Sequence, residues 1–252
     1  MNFSEVMIGA YHKLQEAIAN ESVPHPIGFL KYEHTKGESD FVYDWQESDF
    51  TRELVNTFNK YAYWLTRAQL WERILEDYSE DEALEIRYEF TDLQLDWCLH
   101  FPYKFKSKII FCATQLCYVK AIAGKLISRE SVKGDDQITL GVLSEVATHW
   151  ISGAVLIKAL RDIDGEVFRD ATDQYRNKAQ HRNARRLDFG HISNIVRSFP
   201  KGSVVRYGLG DSPPILTRDV LPALIAEAEK LRFAFNAYRE LVDDHVANGR
   251  ET

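Results

Sequence analysis

The chain has 252 residues, 45% apolar and 27% charged, with a formal net charge of −7. These are ordinary globular values for one large domain or two small ones, and they exclude a largely disordered chain outside ends such as "NGRET". Three cysteines without a Cys-x-x-Cys pair argue against a disulfide framework, and no stretch reaches the roughly 18 uncharged apolar residues of a membrane span. The N-terminus lacks a basic region and an apolar run of signal length, so the expectation is a soluble cytoplasmic protein with no membrane partner.

In chain order, Phe3, Val6, Met7, Ala10, Tyr11, Leu14 and Ile18 recur at helical spacing and predict a first helix over residues 3–19. Residues 21–47 are irregular and read as a long loop with a short strand at "FVYDW". A second helix is expected from Ser48 to about Tyr78, on the stripe Phe58, Tyr61, Leu65, Ala68 and Trp71. Ser79, with Glu82 three residues on, forms a capping-box pattern, so a third helix should run from there to about Leu99 and stop before "FPYK". Apolar residues 105–128 and 138–162 predict two more helices, and 166–180 a more polar one. Gly and Pro punctuate 187–216 around short alternating runs, which predicts a loop or small β-hairpin. A last long helix should begin near Thr217 and end near Val246. The fold class is therefore mainly α, a bundle of six or seven helices with one irregular or hairpin insertion. The domain reading places residues 1–47 as an N-terminal helix and loop packed on a main domain of 48–252. No internal repeat or low-complexity tract is present.

The stretch "DQYRNKAQHRNARR", residues 173–186, departs from the acidic balance. From Arg176 to Arg206 there are eight basic residues and a single acid, Asp188, a local charge of +7. Such a segment is either a solvated face or an anion site. Within it lies Arg176-Asn177-x-x-x-His181. An Arg followed five positions later by His is weak evidence, since composition alone gives about half an occurrence. With Asn directly after the Arg, the expectation falls to about 0.02 occurrences.

This run, "YRNKAQHRNARR", resembles the Arg-x(4–6)-His signature of HEPN domains (higher eukaryotes and prokaryotes nucleotide-binding). The resemblance implies a helical bundle that dimerises with both motifs facing each other, and, in active members, a metal-independent endoribonuclease used in defence or as a toxin. Its partners would be a second copy, RNA or a nucleotide, and a cognate antitoxin or other protein. The chemistry is coherent on physical grounds. Cleavage of RNA by its own 2′-hydroxyl needs proton transfer and stabilisation of a dianionic phosphorane. A His can move the proton, and an Arg presents a permanent charge with forked donors. The catalytic candidates are thus Arg176 for the transition state, His181 for the proton, and Asn177 to bond the phosphate or hold the Arg. Lys178, Arg182, Arg185 and Arg186 are candidates for the RNA backbone. Positions five apart on a helix point about 140° apart, so either the helix breaks between Arg176 and His181 or two copies combine about a two-fold axis.

Plainer readings stand beside these. Arg176 could pair with an acid such as Asp173, with His181 merely half-exposed, and the basic residues could be a solvated helix end. The domain could be a non-catalytic HEPN-like scaffold, or a helical interaction protein with a coincidental motif. The acidic segment Glu72–Asp92 reads as a solvated face, with attraction of a basic segment from another chain as the alternative. "DDH" at 243–245 reads as a solvated helix terminus, and Cys112, Cys117 and the tryptophans at 64, 71, 97 and 150 as core. No metal or other cofactor is expected. "RDIDGE" and "GDD" offer no complete ligand set, "GLGDSPP" lacks a strand–GxGxxG–helix unit, and no acyl-transfer triad is indicated.

Overall fold

The computed structural model describes residues 3–20, 23–33, 41–181, 184–190, 192–198 and 206–247. The fold is mainly α, as the apolar periodicity predicts. The described residues form nine α-helices: α1 Phe3–Ala19, α2 Phe41–Leu75, α3 Glu80–Phe90, α4 Asp92–Ala123, α5 Leu140–Val146, α6 Ile151–Asp162, α7 Glu166–Ala171, α8 Tyr175–His181 and α9 Thr217–Ala247. Strands β1 Ile192–Ser198 and β2 Arg206–Ser212 pair antiparallel, with Ile195 opposite Leu209, and form the expected hairpin before the last helix.

The chain divides into two compact units. The first comprises Met1–Pro26, Trp64–His100 and Glu166–Leu224; the second comprises Ile27–Tyr63, Phe101–Gly165 and Ile225–Thr252. This division does not fall at residue 47, which lies within α2 and inside the Ile27–Tyr63 part of the second unit. The expected strand at "FVYDW" is the first turn of that helix. Its positions Tyr43, Glu47, Thr51, Leu54 and Phe58 are buried at a spacing of three and four, and this stripe outweighs the β-branched and aromatic composition.

In the first unit, α1 buries Val6, Met7, Ala10 and Leu14 in one core with Leu70, Trp71, Ile74 and Leu75 of α2 and Ile86 of α3. Trp71 stacks on Phe90 at 5.1 Å. The cap of α3 forms as the sequence predicts: Glu82 accepts the Ser79 N–H at 3.1 Å and its Oγ–H at 2.8 Å. These bonds, led by the hydroxyl, hold the exposed Glu82 carboxyl below its usual range.

Two helix boundaries differ from the sequence reading. The third predicted helix ends early, at Thr91, and α4 then includes "FPYK" with Pro102 inside it. Pro in a helix interior costs about 3 kcal/mol. Against it, in the second unit, Phe101 and Phe105 are buried, Phe101 stacks on Tyr61 at 4.1 Å and Phe105 lies 5.8 Å from Phe58. Burying two such rings at about 1.5–3 kcal/mol each covers the loss. The helix predicted over 138–162 is broken at Ala147–Trp150, where Trp150 is extended (ψ 141°). Thr139 caps α5 by accepting the Val142 N–H, and Asp244 accepts the Ser152 N–H at 3.0 Å in the first turn of α6. Gly153 permits this tight joint, since a Cβ there would stand 2.1 Å from the Ala147 carbonyl oxygen.

"DDH" at 243–245 is a second correction. Asp244 serves as that cap, and His245 is buried at 1% exposure. Its Nδ1 lies 2.7 Å from the Tyr43 hydroxyl, its Nε2 lies 3.6 Å from Cys117 Sγ, and Trp150 packs on its ring at 4.3 Å. Burial, then Lys120, push its pKa down to about 3, so the ring is neutral. Nearby, Glu47 accepts from Thr51 at 2.8 Å and from Arg239 at 2.9 Å. Cys98, Cys112 and Cys117 are buried core residues, with thiol pKa values pushed up by burial. Trp71 and Trp150 are buried as expected, whereas Trp64 and Trp97 are half-buried.

Candidate functional site

The residues singled out by the motif lie in the first unit. α7 and α8 are separated at Thr172–Gln174, where Asp173 and Gln174 both adopt left-handed backbone (φ 51° and 52°). The polar segment predicted as one helix is therefore two, and α8 carries Tyr175 to His181 without a break. That continuity decides one point left open by the spacing. Arg176 and His181 point about 140° apart on one regular helix and do not converge within a chain.

Arg176 and Asn177 are half-buried, and Arg176 Nη2 donates to Asn177 Oδ1 at 2.8 Å. His181, at the last position of α8, is exposed. Asp173 takes Lys178 Nζ at 2.6 Å and lies 3.7 Å from Arg185 Nη1. Arg185 also donates to the carbonyl oxygens of Pro213 at 2.6 Å and Pro214 at 3.1 Å. Lys178 and Arg185 are thus engaged within the fold, unlike the open phosphate ligands that the sequence suggests. Arg186 is exposed, and Arg182 lies outside the described residues.

Asp188, the acid isolated in the basic run, is a structural anchor. Its Oδ1 accepts the Thr217 N–H at 2.7 Å at the start of α9 and lies 3.4 Å from Arg87 Nη1. Arg87 is also bound by Glu72, with Nη2 to Oε2 at 3.1 Å. Burial by itself would lower the Arg87 pKa; the bonds to Glu72 and the field of Asp188 more than offset this and raise it. Asp188 has φ 55°, which Asp tolerates better than most residues. Backbone bonds from Asp188 N to Ile215 O and from Ile215 N to Arg186 O, both 2.8 Å, fasten 186–188 beside 215. The segment that reads as solvated in the sequence is tied down on one side.

Beside α8 the same unit holds an open cleft of about 920 Å³. Tyr88 of α3, Asp92, Leu93 and Asp96 of α4, Tyr175 and Ala179 of α8, and Ala184 to Leu187 with Phe189 and Gly190 line it. Arg176 and His181 are not among these lining residues; the cleft receives the neighbouring face of α8. The Tyr175 hydroxyl donates to Asp96 Oδ1 at 2.8 Å, and burial, then this bond, push its pKa up. His100 Nε2 lies 3.7 Å from the same carboxylate oxygen. Asp92 is half-buried, and its pKa is raised by burial and then by the Asp188 and Asp96 carboxylates. Sequence reasoning missed this set because its members are scattered over four segments. The available signal was Asp92, Asp96 and His100 at i, i+4 and i+8 on one helix face, inside and just beyond a segment read as solvated.

Among the described residues no group of three or more His, Cys, Asp or Glu side chains could hold a metal ion, and no helix is long and apolar enough to cross a membrane. No family model, curated protein or solved structure matches the chain.

Proposed function

We propose that the chain is a HEPN-like, metal-independent endoribonuclease that acts as a homodimer in a defence or toxin setting. The observation that carries this reading is the placement of Arg176, Asn177 and His181 on one unbroken helix, with the Arg held by the Asn and the His open to solvent. In one copy the two groups diverge, so a working site takes His181 from one protomer and Arg176 from its partner. His181 removes the 2′-hydroxyl proton or protonates the leaving 5′-oxygen. Arg176, pre-oriented by Asn177, neutralises the developing phosphorane charge. Of the candidate basic residues Lys178, Arg185 and Arg186, Arg186 is the exposed one and is open to the RNA backbone.

The engagement of Lys178 by Asp173, and of Arg185 by Asp173 and two prolyl carbonyls, supports a second reading. In that reading the same helix is a non-catalytic scaffold that binds RNA, a nucleotide or a partner such as an antitoxin, without a broad cationic track.

Incubation of the purified protein with mixed RNA in EDTA separates the two. The enzyme reading expects fragments ending in 2′,3′-cyclic phosphate and a loss of about 10²–10⁴-fold in rate for His181→Ala. Arg176→Ala should lose a comparable factor. Unchanged cleavage by His181→Ala rejects the assignment. Binding without cleavage by the unaltered chain supports the scaffold. A monomer at micromolar concentration in light scattering rejects the composite site.

A further inference from the structure

The cleft beside α8 brings together an exposed aromatic ring, a half-buried carboxylate and a guanidinium. Tyr88 is an aromatic ring with 68% exposure, and Phe189 supports it from the side at 5.9 Å with an interplanar angle of 61°. Asp92 stands half-buried on the wall, close enough to Asp188, Asp96 and Arg186 for their charges to act on its carboxylate. Arg186, on the 184–190 segment, supplies a guanidinium to the same cleft. Asp96 is occupied by Tyr175 and fixes that side of the wall.

We propose that this cleft binds a guanine nucleotide unit, with the base on Tyr88, its donor edge on Asp92 and its phosphate on Arg186. The choice of a nucleotide rests on the RNA-cleaving reading; the choice of base rests on the cleft. An ionised carboxylate only accepts hydrogen bonds, with two oxygens side by side. Guanine offers N1–H and an N2 amino group next to each other and matches both oxygens. Adenine and cytosine place a ring nitrogen lone pair beside their amino group, which a carboxylate repels. Uracil offers a single N–H between two carbonyls. Stacking on an open aromatic ring is indifferent to base and contributes affinity. The guanidinium fork suits a phosphate monoester. The volume is within the range that encloses a ligand of nucleotide size. Tyr175 and Ala179 belong both to the cleft wall and to α8, so a nucleotide seated here lies beside the helix that carries Arg176 and His181.

The test is calorimetric titration of the full chain with 5′-GMP, AMP, CMP and UMP, and with guanosine. GMP is expected to bind at least tenfold more tightly than the other three mononucleotides. Asp92→Asn places a donor against a donor and should erase that preference. Tyr88→Ala removes a mostly exposed side chain and should weaken all four, by roughly tenfold or more. Arg186→Ala should weaken GMP but leave guanosine unchanged. Equal affinity for the four nucleotides, no binding at millimolar concentration, or a preference that survives Asp92→Asn would overturn the proposal. RNA cleavage without guanine preference would remove the cleft assignment and leave the ribonuclease reading. Guanine preference in a protein that does not cleave RNA would do the reverse.

Discussion

The end of α9 and the basic run after α7 are both charged, polar stretches, and the structure uses them in opposite ways. In the second unit, Asp244 and His245 look like a solvated terminus and are instead engaged by the fold: the half-buried Asp244 caps α6, and His245 is a buried neutral ring with partners on both nitrogens. In the first unit, the +7 segment looks like an open anion surface, and part of it is spent on internal bonds through Asp173 and the Pro213 and Pro214 carbonyls. A charge run in a sequence therefore says how much charge must be dealt with, and not whether solvent, the fold or a ligand deals with it. The Asp173 carboxylate that takes Lys178 is five residues away, whereas the carbonyls that take Arg185 are 28 and 29 residues away.

Four measurements break or sharpen this contrast. The largest effect is expected for His245→Ala. It removes a fully buried ring and leaves the Tyr43 hydroxyl and Cys117 without their partner, at a cost of about 3–5 kcal/mol in urea unfolding at neutral pH. A value near zero would return the residue to the solvated terminus that its sequence suggests. Next, Asp188→Ala breaks the link to Arg87 and the cap of α9, and should cost about 3 kcal/mol. Glu72 remains on Arg87 and limits the loss.

The third measurement is acid stability. The unfolded chain takes up a proton at His245 near pH 6.5, whereas the folded ring resists until about 3. The unfolded state thus binds more protons within that window. The stability contributed by this group is complete above pH 6.5 and is lost as pH falls, with a slope approaching about 1.4 kcal/mol per pH unit. Tyr43, Cys117, Trp150, Lys120 and Asp244 surround the ring, and Lys120 and Asp244 act on it with opposite signs. The difference in slope between the unaltered chain and His245→Phe isolates the effect. The smallest effects belong to the basic run. Arg185→Ala should lose about 1–2 kcal/mol through its two carbonyl bonds, and Lys178→Ala, in a partly exposed ion pair, less than about 0.5 kcal/mol. If the two are equally silent, Arg185 is a surface cation after all.

Local rules carried much of the reading. Ser79 with Glu82, the start of α9 at Thr217 and the Gly- and Pro-marked hairpin are each encoded within a few residues, and each is found where expected. Pro102 was misread because its local cost is visible while the burial of Phe101 and Phe105 that offsets it is tertiary. The break at Trp150 was invisible for the same reason, since its cap, Asp244, is 92 residues away from Ser152. The candidate motif was legible as three residue types at a fixed spacing. The cleft was not, because Tyr88, Asp92, Arg186 and Phe189 become neighbours only when α3, α4 and the 184–190 segment assemble.

The joint at Gly153 has a consequence for sequence variation. A methyl group there would overlap a backbone carbonyl, which no side-chain rearrangement can relieve, whereas a Cβ at Gly208 meets nothing within 4 Å. In a saturation library selected for folded protein, position 153 should return one amino acid and position 208 many. The first glycine is a lock whose key is the absence of an atom; the second is a blank on which drift can write.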